Sequence, residues 1–109
     1  MQEFLYPHKN DRIIMVKVGK VQRDTFYEMT RKYWVMKLER CSKATHVLAI
    51  VDGIVRAVYI PQIWFYSRDK GKEHRVEFYG TEDLNSEYIG KYVQQYYGHS
   101  ANPVKYLNF

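Results

Sequence analysis

Basic and aromatic residues lie close together in this sequence and are its main candidates for binding a ligand. Arg31 and Lys32 stand directly before Tyr33 and Trp34, so two cations are followed by two large rings. More members of both classes surround a central pair of apolar runs: Arg56, Tyr59, Trp64, Tyr66, Arg68 and Arg75. Single-stranded nucleic acid is commonly held by basic groups along its phosphates and by aromatic faces that stack on its bases. The pattern therefore predicts a nucleic-acid-binding surface.

Each candidate residue has a predicted role and a structural alternative. The predicted phosphate contacts are Arg31, Lys32, Arg56, Arg68 and Arg75, and the predicted stacking residues are Trp34, Tyr59 and Trp64. A run of charges is more often the solvated face of a helix, and aromatic side chains are ordinary core residues. The core is favoured for Trp34, whereas Trp64 fits the core and a ligand contact equally well.

Catalytic and metal sites have little support in the sequence. Four histidines are present: His8, His46, His74 and His99. None of them lies at a short ligand spacing from another or from Cys41, so no metal site is predicted. Arg40 and Lys43 could lower the pKa of the Cys41 thiol, but nothing nearby completes a triad. Phosphate-binding loop patterns are absent as well. We expect no catalysis, no metal and no cofactor.

Composition and charge indicate one small globular domain with an uneven surface. The chain has 109 residues, of which 46% are hydrophobic and 27% charged, so it can form a single core. The net charge is +5. Residues 31–43 contain five basic residues and one acidic residue, whereas residues 77–87 contain four acidic residues and no basic one. A basic region of this kind can attract a polyanion.

A cytoplasmic location is expected. Cys41 is the single cysteine and cannot form an internal disulfide, which is typical of proteins from a reducing compartment. No segment approaches the roughly 18 apolar residues of a membrane span. The first residues also lack the basic and then apolar pattern of a secretory signal.

Residues 46–61 are predicted to form the β-hairpin at the centre of the sheet. Two apolar runs, residues 47–51 and 54–60, flank Asp52-Gly53, a dipeptide that accepts the positive φ values of a tight β-hairpin. The first run is apolar at five successive positions, so we expect it at the centre of a sheet with both faces buried. Pro61 is expected to interrupt the following strand because it has no N–H to donate.

The rest of the chain predicts an α+β domain. Asp24 or Thr25 can cap an amphipathic helix over residues 26–44, with Glu28 completing a capping box with Thr25. Further strands are predicted at residues 13–18, 74–79 and 104–109, and a short second helix at residues 88–97. Residues 1–11 are expected to be a leader, and residues 12–109 a single domain. The predicted architecture is a small, curved, partly closed and mainly antiparallel β-barrel with one or two helices.

The order of these motifs resembles a small family of bacterial and phage-borne domains with the layout of the PUA-like superfamily, which includes the ASCH, EVE and YTH domains. The helix carries Tyr27, Thr30, Arg31 and Trp34, and the segments HVLAIVDGIV, VYIPQIW, RVEFYG, YIGKYV and NPVKYLNF follow it. The resemblance covers residues 13–109. It implies a non-catalytic module that binds RNA or modified or single-stranded bases, with Trp34 and Trp64 as stacking residues and Arg31 as a phosphate or base contact.

Two other functions are compatible with the sequence. Exposed tyrosines and a basic stripe could dock a protein partner or a second copy of the chain, which makes a protein-interaction domain or homodimer the main alternative. A small hydrolase or nuclease would instead need Glu77, Glu82 and Asp83 to converge on a metal ion.

Overall fold

A computed structural model describes residues 3–19 and 25–109, and it confirms the predicted α+β class. The strands are β1 (Ile13–Lys17), β2 (His46–Val51), β3 (Ile54–Tyr66), β4 (Val76–Glu82) and β5 (Val104–Leu107). The helices are α1 (Phe26–Arg31), α2 (Leu38–Cys41) and α3 (Gln94–Tyr97). The strands form one sheet in the order β4-β3-β2-β1-β5, in which only β1 and β2 are parallel. Among the described residues, no helix has the length and apolar character needed to cross a membrane.

The β2–β3 hairpin turns at Asp52-Gly53, as predicted. Both residues have positive φ, 53° and 74°, and Val51 pairs with Ile54 across the turn. β2 is the central strand of the five. Its apolar side chains are buried on both faces of the sheet, because alternate residues of a strand point to opposite sides.

Each face of the sheet carries its own hydrophobic core. The helix-side core lies under α1 and α2 and includes Trp34, Tyr59 and Phe78. The second core lies on the opposite face, where residues 88–97 and the amino-terminal segment cover the sheet. Leu5 of that segment is fully buried, and its N–H donates to the Tyr92 carbonyl at 2.8 Å. Residues of the predicted leader are therefore packed against the domain.

The sheet does not close into the predicted barrel. β4 forms one edge and β5 the other, and no pairing joins these two strands in the part of the chain that the structure describes. A closed barrel encloses one face of its sheet and leaves the other outside. Here the two edge strands stay apart and each face of the sheet is covered by its own layer, so the sheet is open.

The helix predicted over residues 26–44 is interrupted. α1 ends at Arg31, α2 begins at Leu38, and Trp34 between them pairs with Val76 of β4 through two backbone hydrogen bonds of 3.0 and 2.8 Å. These bonds occupy a strand edge that would otherwise be free, and the chain gains them in place of helical ones. The Thr25 cap is confirmed, since its Oγ1 accepts from the Glu28 N–H at 3.1 Å. Asp24, the other predicted cap, lies outside the described residues.

Two further predictions differ from the structure in their extent. α3 covers only Gln94–Tyr97 of the helix predicted over residues 88–97. β3 continues through Pro61, which lies opposite Gly80, and the register shifts between Pro61 and Ile63. Such an irregularity accommodates the missing N–H of proline. β2 pairs only with residues 54–59 of β3, so the rest of β3 pairs with β4 alone and forms an outer hairpin.

Candidate functional site

The three predicted stacking residues lie in the helix-side core. Trp34, Tyr59 and Trp64 are 7%, 1% and 9% exposed, respectively. Trp64 packs against Phe78 with ring centroids 4.8 Å apart, and Tyr59 packs against Tyr27 at 5.5 Å. Burial also raises the pKa of Tyr59 to about 12. In this conformation the three rings stabilise the core, and the surface available to a ligand is built from other residues.

Trp34 and Trp64 are two buried tryptophans that differ in the hydrogen bonding of their ring nitrogen, so they allow the contribution of one hydrogen bond to stability to be measured. Nε1 of Trp34 donates to the Thr30 carbonyl at 2.7 Å, whereas Nε1 of Trp64 is buried without a hydrogen-bond partner among the described residues. Replacement by phenylalanine removes the same atoms at both sites, but only Trp34→Phe loses a hydrogen bond. We expect Trp34→Phe to lower the free energy of unfolding by about 1 kcal/mol more than Trp64→Phe. Urea denaturation measures both, and equal losses would contradict the expectation.

Arg31 is buried at the edge of the sheet, where protein groups engage all three of its nitrogens. Nε donates to the Phe78 carbonyl at 3.1 Å, and the two Nη atoms donate to Glu28 and Glu77 at 3.1 and 3.0 Å. The guanidinium also lies 4.6 Å from the centroid of the Tyr79 ring. Burial acts to lower the pKa of Arg31, but the two carboxylates outweigh it and raise the pKa above its usual value. These contacts attach α1 to β4.

The free side of β4 is covered by residues 27–34. Trp34 pairs with Val76, Arg31 donates to the Phe78 carbonyl, and the Gly80 N–H donates to the Tyr27 hydroxyl at 3.0 Å. Uncovered strand edges tend to pair with other chains. The basic and aromatic motif that predicted a binding site therefore protects this edge of the sheet.

The other predicted phosphate contacts lie at three places. Lys32 is half-buried and pairs with Glu28 at 3.5 Å and with Asp69 at 3.8 Å. Arg56 is exposed near the start of β3. Arg68 and Arg75 lie beyond its other end, in the β3–β4 turn, which we call the basic turn (residues 67–75). The structure thus brings Arg68 and Arg75 together and leaves Arg56 at the opposite end of the strand.

The outer hairpin carries an open cavity of about 290 Å³ beside the basic turn. Its walls are formed by Ile63, Phe65, Arg68, Asp69, Glu77 and Tyr79. Ile63 and Tyr79 are 56% and 54% exposed, and the rings of Phe65 and Tyr79 lie 5.0 Å apart. Ile63 and Phe65 alternate with Trp64 along β3, so they point away from the helix-side core. We call this site the hairpin cavity.

Glu77 lies at the buried side of the hairpin cavity, and one of its oxygens has no partner. The residue is 6% exposed, and Oε1 accepts from Nη2 of Arg31 at 3.0 Å. Nothing among residues 3–19 and 25–109 donates to Oε2. Oε2 has almost no accessible surface, so it is enclosed by the protein and does not face the cavity.

A second cavity, of about 440 Å³, is more polar, and His8 and Asp11 of the amino-terminal segment form part of its wall. The Tyr88 hydroxyl donates to Asp11 at 2.6 Å and accepts from the His8 N–H at 2.9 Å, and the His8 ring pairs with Glu87. Burial raises the pKa of Tyr88 to about 12. The polar groups bond to one another and attach the amino-terminal segment to the domain. Asp11, Asp83 and Glu87 also make this cavity unfavourable for a polyanion.

The thiol of Cys41 does not have the lowered pKa that its basic neighbours suggested. The residue is fully buried, and burial raises the pKa of its thiol to about 11. The Arg40 guanidinium lies over the Tyr106 ring, 3.7 Å from its centroid. A thiol in this environment is protonated at neutral pH.

Five residues of the hairpin cavity were absent from the predicted nucleic-acid-binding site: Ile63, Phe65, Asp69, Glu77 and Tyr79. The alternation in residues 74–79 did place Glu77 and Tyr79 on one face of a strand, opposite Val76 and Phe78. The pairing of that strand with residues 63–66 depends on the register shift after Pro61. Pro61 predicts an irregularity in the strand, but it does not predict the register that follows. The cavity therefore forms only because β3 and β4 pair in this particular register.

Comparisons with protein-family models, with curated proteins and with solved structures find no match to this chain. Among the described residues, no group of three or more His, Cys, Asp or Glu side chains is arranged to hold a metal ion. The function is therefore inferred from the hairpin cavity and its surroundings.

Proposed function

We propose that this protein is a non-catalytic module that binds single-stranded nucleic acid, RNA or DNA, at the hairpin cavity. The observation that carries the proposal is the pair of rings, Phe65 and Tyr79, presented on adjacent strands beside the basic turn. Aromatic side chains on the open face of a sheet are a common platform on which bases stack.

The charges around the cavity favour a polyanion. The basic turn contributes four cations: Arg68, Lys70, Lys72 and Arg75. Of its two carboxylates, Asp69 accepts from the Tyr33 hydroxyl and lies near Lys32, and these contacts keep the pKa of Asp69 below its usual value. Asp69 therefore stays ionised, but the Lys32 ammonium compensates part of its charge, and the four cations of the turn are left to attract phosphates.

The proposal keeps the class of partner that the PUA-like resemblance implies. It changes the residues that make contact, because the Trp34 and Trp64 rings are buried and Phe65 and Tyr79 are accessible. Stacking then takes place on the outer hairpin, with Arg68 at the rim of the cavity as the nearest candidate phosphate contact.

Fluorescence anisotropy with short labelled single-stranded RNA and DNA tests the proposal. We expect binding that weakens as salt is raised, because each phosphate contact releases counterions. Tyr79→Leu keeps an apolar cover over Arg31 but removes the stacking ring, so affinity for all sequences should fall roughly 5- to 100-fold, the equivalent of one stacked base. Tyr66→Leu is the matched control, because Tyr66 is 51% exposed and alternates with Phe65 onto the opposite face of the strand.

Three results would contradict the proposal. Absence of binding to any oligonucleotide at low salt would remove it. A molecular mass that rises with protein concentration, in the absence of such binding, would favour the homodimer alternative. Magnesium-dependent cleavage of the oligonucleotide would show that the module is catalytic.

A further inference from the structure

The two edges of the sheet differ in how they are covered. The β4 edge is covered by residues 27–34 through main-chain and side-chain hydrogen bonds. β5 pairs with β1 on one side, and within residues 3–19 and 25–109 no strand or bridge pairs with its other side. An unpaired strand edge offers a row of main-chain donors and acceptors to another chain.

The register of β1 and β5 shows which main-chain groups of β5 face outward. The Lys17 N–H donates to the Pro103 carbonyl at 3.0 Å, so the alternating antiparallel pattern also bonds residues 105 and 107 to β1. The N–H and C=O of Tyr106 and the C=O of Val104 therefore point away from β1, and they have no partner in the described part of the chain. The Val104 N–H is occupied, because it donates to Oδ1 of Asn102 at 3.0 Å. The edge thus offers one donor and two acceptors to an added strand.

The charges beside this edge are positive on both faces of the sheet. On the helix side, the exposed Arg40 guanidinium lies 3.7 Å from the centroid of the Tyr106 ring. Lys105 alternates with Tyr106 along β5, so its side chain is on the opposite face. Lys17 is on that face as well, with its Nζ 4.3 Å from the centroid of the Tyr97 ring in the second core. β5 itself carries no acidic residue. These charges complement an acidic partner.

A second copy of β5 fits this edge less well than an acidic segment does. Two copies paired along the edge would bring Arg40 and Lys105 of one chain close to the same residues of the other. Like charges on paired strands are destabilising, and lysine on a short edge strand is a common means of preventing such self-pairing. In an acidic segment the same side chains meet opposite charges, so the repulsion is replaced by attraction.

We propose that β5 is a docking edge for an extended, acidic segment of a partner protein, which adds a further strand to the sheet. Main-chain hydrogen bonds to Tyr106 and Val104 hold the segment, as in other complexes formed by strand addition. Arg40 and Lys105 favour acidic side chains on the segment. β5 and the outer hairpin lie at opposite edges of the sheet, so this surface is separate from the hairpin cavity and independent of the proposed function.

Amide hydrogen exchange of the full chain, followed by NMR, tests the proposal with a control in the neighbouring residue. The probe is a peptide of about six residues, the usual length of a strand, with alternating glutamate and valine and with both ends blocked. In the protein alone, the Tyr106 N–H should exchange fast, whereas the Lys105 N–H should exchange slowly because it bonds to Met15 of β1. With the peptide in excess, we expect exchange at Tyr106 to slow at least about ten-fold and exchange at Lys105 to change little.

Two modified peptides separate main-chain pairing from charge, with no change to the protein. A peptide with the same side chains and an N-methyl group on every residue keeps its charge but has no N–H to donate to the Val104 and Tyr106 carbonyls. We expect it to bind about 30-fold more weakly, the equivalent of two hydrogen bonds. A peptide with lysine in place of glutamate keeps its N–H groups but has the opposite charge, and we expect no measurable binding.

Lys105→Glu tests the charge of the edge from the protein side. We expect it to weaken binding of the glutamate peptide about 5-fold, because an attraction becomes a repulsion. Arg56→Glu is the matched control, because it changes the net charge equally on β3, which β2 and β1 separate from β5. It should leave the affinity within about two-fold. Circular dichroism establishes that both variants are folded, and the modified peptides decide the question if they are not.

Several results would overturn the proposal. These are absence of peptide binding, binding that leaves exchange at Tyr106 unchanged, and equal affinity for the N-methylated or the lysine peptide. Slow exchange at Tyr106 in the protein alone, increasing with protein concentration, would assign the edge to a second copy. Displacement of the peptide by a single-stranded oligonucleotide would show that both ligands use one surface and would overturn a separate protein partner.

Discussion

Arg31→Met is expected to lower the free energy of unfolding by about 3–5 kcal/mol, because it leaves the buried Glu77 carboxylate without its partner. Methionine retains much of the volume of arginine but none of its donors. The substitution therefore also removes the hydrogen bond to the Phe78 carbonyl and the ring contact with Tyr79. Urea denaturation, followed by circular dichroism, measures the loss.

Lys32→Met is the control for Arg31→Met. Lys32 is the next cation along the chain and also pairs with Glu28, at 3.5 Å, but both side chains of this pair are partly accessible to solvent. Ion pairs in such positions contribute at most about 1 kcal/mol. If Arg31→Met were no more destabilising than Lys32→Met, the Arg31 contacts would not hold α1 against β4.

A double substitution separates the contribution of the ion pair from the cost of the unpaired charge. In Arg31→Met combined with Glu77→Gln, no ionised carboxylate remains buried at this site. Breaking a buried pair from one side is costly mainly because it leaves an uncompensated charge. We therefore expect the double variant to be more stable than Arg31→Met alone. If the two substitutions acted independently, their destabilising effects would add, and the double variant would be the less stable of the two.

Gly80→Ala is expected to destabilise the protein by about 3 kcal/mol or more, because the added methyl group would overlap the backbone of the neighbouring strand. A Cβ at Gly80 would lie 3.0 Å from both the Ile60 carbonyl carbon and the Pro61 Cα, and still closer to the Ile60 oxygen. No side-chain rotation can relieve a clash with backbone atoms. β3 and β4 would have to separate at the register shift, where the Gly80 N–H also donates to Tyr27.

Gly19→Ala is the matched control for Gly80→Ala. A Cβ at Gly19 would have Val51 Cγ1 as its nearest neighbour at 3.5 Å, which is an ordinary contact distance, and its φ is not in the left-handed region. A compatible glycine-to-alanine change is neutral or stabilises by about 0.4–1 kcal/mol. Thermal unfolding compares the two variants. Similar melting temperatures would mean that the close approach of β3 and β4 at Gly80 contributes little.

The residues of these two stability predictions, Arg31 and Gly80, also determine the geometry of the hairpin cavity. Gly80 allows β4 to lie close to β3 at the register shift, and Arg31 orients Glu77. Phe65, Glu77 and Tyr79 line one cavity because the strands approach closely at Gly80 and because Arg31 holds Glu77 in place. Variants at Arg31 and Gly80 should therefore impair oligonucleotide binding through the geometry of the site.

Local sequence was sufficient for the α+β class and for the centre of the sheet. Asp52-Gly53 predicts a tight hairpin because few other dipeptides accept positive φ at both positions. The apolar run before it predicts a strand buried on both faces, which the two cores confirm. The capping role of Thr25 is equally local. These features depend on backbone preferences and on residues within a few positions of one another.

Whether the basic and aromatic side chains are buried or accessible to a ligand depends on the tertiary structure. Arginine and tryptophan occur both in binding surfaces and in edge contacts, and neighbouring residues in the sequence do not distinguish the two uses. Arg31 and Trp34 are buried because β4, more than forty residues later in the chain, lies against them. Phe65, Glu77 and Tyr79 form a cavity because β3 and β4 pair in the register that follows the shift after Pro61. Burial is decided by which segments meet, and that information is absent from any local pattern.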